Sequence, residues 1–129
     1  MPISYPLATG DVLSAATMNS LVAFSINADA TADYTAVTAD QYQVLVPMNK
    51  ATAIAFKIPT NASVAFPVGT VITVLNKGVG TCTISAVTSG TTTVLSAGST
   101  AASPTLGQYK MATVIKTNTD QWYVAGGIA

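Results

Sequence analysis

Histidine, arginine and glutamate are all absent from this 129-residue chain, which leaves chemistry to five lysines, five aspartates, one cysteine and its hydroxyls. Without histidine there is no Ser-His or Cys-His nucleophile, and without clustered carboxylates there is no acid and base pair. A Ser-Lys dyad is the one nucleophilic arrangement left, and no spacing sets a particular serine beside a particular lysine. Asp29, Asp33 and Asp40 could supply oxygen ligands to a hard cation, but their spacing matches no EF-hand loop and the turn glycine is missing, so turn and capping roles suit them better. Gly78 and Gly80 lie between two β-like runs and not ahead of a helix, so they are no phosphate loop. Cys82 stands alone, which rules out an intrachain disulfide and predicts a small buried apolar side chain. The expectation is a protein that is not an enzyme and carries no cofactor or metal.

The elements that would hold these residues are mostly strands. Two alternating runs, 70–75 and 81–86, flank Asn76-Lys-Gly-Val-Gly80 and predict a β-hairpin whose glycines supply positive φ angles. Ahead of them, 42–46 reads as a strand ended by Pro47. Residues 52–58 alternate, with Ile54, Phe56 and Ile58 on one face. Behind them come a short strand at 92–96, a small-residue loop at 97–104, and two strands at 109–116 and 121–125 around a turn. Trp122 is the candidate core plug, or else a ring on which a sugar could stack. Asn61-Ala-Ser63 has the form of a glycosylation sequon and reads as a turn. No internal repeat is evident.

The first 25 residues differ. Pro2 and Pro6 make residues 1–10 an extended arm carrying Ile3, Tyr5 and Leu7. Residues 11–25 then place Leu13, Met18 and Leu21 near one face of a short helix. The predicted organisation is an arm and helix over 1–25 and a β domain over 26–129. Its fold class is mainly β, a small β-sandwich or flattened barrel of about seven strands with an N-terminal extended arm and one short helix.

Charge narrows the partners. Only 8% of residues are ionisable, the net charge is zero and half the residues are hydrophobic. The five lysines are scattered, so no basic patch exists to bind nucleic acid. No apolar run is long enough to cross a bilayer, and the first residues lack the basic and apolar regions of a secretory signal. So little charge suits a surface that is covered in an assembly, by identical subunits or by a larger particle.

Three stretches carry a family resemblance. They are Ile58-Pro-Thr-Asn-Ala-Ser-Val-Ala-Phe-Pro-Val-Gly-Thr-Val-Ile72, Asn76-Lys-Gly-Val-Gly80 with Thr83 and Ile84, and Leu106-Gly-Gln-Tyr109 with Trp122-Tyr-Val-Ala-Gly126. Together they resemble a β module of tailed-bacteriophage structural proteins, found in tail-fibre proteins and small head decoration or cement proteins. Ala8-Thr-Gly-Asp-Val-Leu-Ser-Ala-Ala-Thr-Met-Asn19 resembles openings of such proteins. The resemblance implies a virion component assembled in the host cytoplasm. A chain of this size with one β domain suits a capsid decoration or cement protein, a homotrimer docking on the major capsid protein. In that reading Ile3, Tyr5, Leu7, Leu13, Met18 and Leu21 contact capsid or a sister subunit. The alternatives are a short tail-fibre or tail-tip adhesin, or a carbohydrate-binding module.

Overall fold

The alternating runs resolve into two facing sheets in the computed structural model, which describes Ala15, residues 25–96 and residues 103–128. In chain order the strands are β1 (Ser25–Ile26), β2 (Tyr34–Thr35), β3 (Val44–Met48), β4 (Ile54–Ile58), β5 (Val71–Asn76), β6 (Cys82–Ala86), β7 (Thr93–Leu95), β8 (Thr105–Leu106), β9 (Met111–Asn118) and β10 (Gln121–Gly126). A six-stranded sheet is ordered β1-β3-β5-β9-β10-β7 and a four-stranded sheet β2-β4-β6-β8. This is the small mainly β sandwich that the strand pattern predicts. It has more strands than expected because β1, β2 and β8 are two-residue pairings, too short to show any alternation.

The predicted hairpin at 70–86 is absent. β5 pairs with β3 and β9, whereas β6 pairs with β4 and β8 in the other sheet. The chain crosses from the six-stranded to the four-stranded sheet between β1 and β2, between β3 and β4, and again between β5 and β6. Each crossing stacks parallel on the one before it. Val44 lies opposite Ile72 and Ile54 opposite Cys82, so the second and third arches keep one register in both sheets. That is a structural repeat with almost no sequence identity behind it. The predicted C-terminal hairpin does form, β9 against β10, and β7 adds parallel to the far side of β10.

The glycines of the third arch serve close approach and not positive φ, which is confined to Gly69 and Gly126 among the described glycines. A Cβ on Gly78 would overlap the backbone of Lys50, and one on Gly80 the backbone of Thr52. Backbone hydrogen bonds lock the contact: Lys77 N–H donates to Met48 O at 2.7 Å and Gly80 N–H to Lys50 O at 3.0 Å. Asn76, fully buried at the end of β5, satisfies the turn from inside. Its Nδ2 donates to Gly80 O and Leu106 O, each at 2.8 Å, and its Oδ1 accepts from Gly78 N–H at 3.1 Å.

Pro47 does not end its strand, which runs on to Met48. Ser25, Asn27 and Ala30 donate their N–H groups to Gln43, Leu45 and Pro47, so the odd-numbered residues of β3 turn their polar groups toward the β1 side. The missing proline N–H therefore falls beside the short edge strand, where a sheet tolerates it.

Inward residues of both sheets fill one core. Val46, Val74 and Val114 face Phe56 and Ile84, and buried Trp122 meets Phe66 edge-on, with ring centroids 5.6 Å apart.

The stacked loops give a direct test. Gly80→Ala must push two backbones apart and should lower stability by about 3 kcal/mol or more in urea unfolding. Gly90, with nothing near its absent side chain, should accept alanine at no cost or with a gain of up to about 1 kcal/mol.

Candidate interaction surface

Strand alternation sends two sets of side chains outward, and the two outer faces differ in chemistry. On the four-stranded sheet the outward residues are polar or small: Ala55, Lys57, Thr83, Ser85 and Thr105. On the six-stranded sheet they are apolar or hydroxyl-bearing. One row across that sheet is Ile26, Leu45, Thr73, Thr113 and Ala125; a second is Pro47, Leu75 and Met111; a third is Val71, Ile115, Tyr123 and Leu95. No charged side chain stands in any of these rows. Ile26, Met111 and Tyr123 are 70%, 51% and 46% exposed, whereas Leu45, Val71, Leu75, Leu95 and Ile115 are half-buried and Pro47 and Thr73 are buried. The exposed members of these rows are apolar or small and uncharged, the kind of surface in which contact sites are sought.

The few charges are spent elsewhere. Asp29 pairs with Lys77 at 2.9 Å and accepts from Asn49 Nδ2 at 3.0 Å, clamping the first arch to the second and third; these bonds hold its carboxyl below the usual range. Asp33 accepts from Ala55 N–H at 3.0 Å and faces Lys57 at 3.8 Å. Asp40 is buried, accepting from Val37 N–H at 2.9 Å, Tyr34 Oη at 2.7 Å and Asn27 Nδ2 at 3.2 Å. Burial and then that carboxylate push the Tyr34 phenol well above its ordinary value. The three aspartates thus hold turns, as their residue type suggests, and among the described residues no group of three or more potential metal ligands gathers.

Ile3, Tyr5, Leu7, Leu13, Met18 and Leu21, the residues expected to dock, lie outside the described residues. Trp122 is buried and turns no ring face to solvent, so it offers nothing on which a sugar could stack. Among the described residues the exposed aromatics are instead Tyr109, with φ +64 in the turn before β9, and Tyr123 on the apolar face. A shallow cavity of ≈ 250 Å³ borders the start of β5, lined by Gln41, Gln43, Val68 and Thr70 among others. No lining residue carries a charge, which suits an apolar or amide contact and not an ionic ligand. Sequence reasoning missed the apolar face because each strand alone shows ordinary alternation; only the order of strands brings the outward residues into rows.

Asn61 of the sequon is tied inward. Its Oδ1 accepts from Lys116 Nζ at 2.6 Å, and its backbone N–H donates to Asp120 Oδ1 at 2.8 Å. Lys116, on β9, points into the core with Val114 and Ala112 and also donates to Phe66 O at 2.6 Å. Burial lowers its pKa, and the charge of Asp120 acts in the opposite sense. Among the described residues no helix is long and apolar enough to cross a membrane. No protein-family model, no curated protein and no solved structure matches the chain.

Cys82 is fully buried between the sheets, and burial pushes its thiol from 9.0 up to about 11. The folded thiol therefore holds its proton after the unfolded one has lost it. That contribution to stability is complete below pH 9 and is lost as pH rises through about 11. Comparing wild type with Cys82→Ala in urea from pH 8 to pH 12, the stability gap should shrink by ~1–3 kcal/mol across that range. A thiol reagent should leave the native cysteine unmodified and label the unfolded chain at once.

Proposed function

We propose that this chain is a non-enzymatic bacteriophage virion structural protein. In this reading it is a capsid decoration or cement protein that assembles as a homotrimer and docks on the major capsid protein to stabilise the head. The observation that carries the reading is the charge-free outer face of the six-stranded sheet, set against the polar outer face of the other sheet. Copies of this chain pack through the first and leave the second to solvent. A face made of Ile26, Leu45, Leu75, Met111, Ile115 and Tyr123 matches the composition of subunit interfaces, where aromatics and methionine are enriched and charge is depleted. Closed symmetry would cover that face in every copy and leave none to drive further aggregation. The resemblance to phage structural modules supports the virion as the setting, and the low charge of the chain supports a protein that works in an assembly.

Size-exclusion chromatography with light scattering tests the assembly. Wild type should run as a trimer, and Met111→Lys with Tyr123→Lys should give a folded monomer, weakening association by about 100-fold or more through unpaired charge at the interface. Thr83→Lys, on the opposite face, should leave the trimer intact. A monomeric wild type would remove the interface. Immunogold labelling of purified virions tests the setting: label over the head is expected, and label confined to the tail would favour the fibre or adhesin reading instead.

A further inference from the structure

One buried nucleophile has no part in the surface described above. Lys116 is 2% exposed, its amine faces two neutral oxygens, and among the described residues no carboxylate is ion-paired with it. Burial lowers the pKa of Lys116 and so eases loss of its proton; once neutral, the amine keeps a lone pair while donating to Asn61 Oδ1 and Phe66 O. A contact of 2.6 Å to Oδ1 sets the nitrogen about 3–3.5 Å from the carbonyl carbon of the same amide, a distance at which attack needs only reorientation of the two groups, since the present contact is an N–H donation. Phe66 and Trp122 wall the site and keep the electrostatics strong. Asp120, half-buried, holds the backbone N–H of Asn61 at 2.8 Å and the Thr92 hydroxyl at 3.2 Å, and its charge is felt at Lys116.

We propose that Lys116 and Asn61 form an intramolecular isopeptide bond, a self-catalysed cross-link that ties β9 to the loop ahead of β5. A small rotation of the Asn61 amide turns its carbonyl face to the lone pair. The Nζ–Cγ bond forms as the carbonyl electron pair moves onto Oδ1. When that pair returns, the Cγ–Nδ2 bond breaks. The Asp120 carboxylate, acting through one bridging water, takes the proton that Nζ sheds and returns one to Nδ2, so that ammonia leaves and a secondary amide remains. No oxidant, metal or second substrate enters the balance. The link would join residues far apart in sequence and brace the sheet that carries the apolar face.

Intact-mass measurement of the full chain after prolonged incubation in the folded state decides the matter. The native protein should be lighter by one ammonia, and digestion should release a branched peptide holding both Asn61 and Lys116, with no tryptic cleavage after Lys116. Lys116→Arg and Asn61→Ala should both run at full calculated mass. Asp120→Asn keeps the hydrogen-bond acceptor but removes the proton carrier, and should slow the mass loss by about 100-fold. A wild-type chain at full calculated mass would overturn the cross-link. So would an ammonia loss that persists in Lys116→Arg, since that loss belongs to a succinimide at Asn61.

Discussion

Everything in this fold depends on one loop lying directly on another. The turn after β5 rests on the turn after β3 so closely that Gly78 and Gly80 have no room for a side chain. A buried loop exposes peptide groups that water cannot reach, and each one left unpaired would cost about 1–3 kcal/mol. Here the backbone of the lower loop and the amide of Asn76 supply most of the bonds of that turn, and the Gln108 side chain donates to the Lys77 carbonyl. With the turn satisfied, β5 must continue the six-stranded sheet and β6 the four-stranded one. The sandwich, its core and both outer faces follow from that crossing.

The parallel stack also explains why so few charges suffice. Strands in an arch bury their inward faces against each other, and the chain spends its aspartates on turns: Asp29 across the arches, Asp33 on the backbone of β4, Asp40 inside the first crossing. Little charge is left for the sheet surfaces. Only the four-stranded sheet carries a lysine in its paired outward rows, and the six-stranded sheet carries none. In the proposed function that face is covered by other copies of the chain.

Lys116 is the exception to this economy. A core lysine is costly to hold as a cation, and a methionine-like side chain would fill the same space without that cost. What the amine gains is contact with the loop ahead of β5, through Asn61 and the carbonyl of Phe66. That loop precedes the arch on which the fold depends. A group that is expensive to bury and aimed at a single side-chain amide makes more sense as a fastener than as filling.

Much of this was legible in the residues. The alternation of Ile54, Phe56 and Ile58, the burial of Cys82 and Trp122, the turn roles of the aspartates and the final hairpin all follow from local pattern, because side-chain period and burial are properties of one strand at a time. The register of the arches was not legible, nor the place of Pro47 within its strand, nor the approach of Lys116 to Asn61 from the far side of the core. Two alternating runs joined by glycines look the same whether they fold back within one sheet or cross between two. In both cases each run buries one face, and only the identity of its neighbour differs. The sequence by itself determined a mainly β chain with little charge and one buried face per strand. The tertiary structure alone decided which strands became neighbours, and so which outward residues joined into an uncharged surface, because pairing is fixed by backbone contacts between segments that local pattern cannot relate.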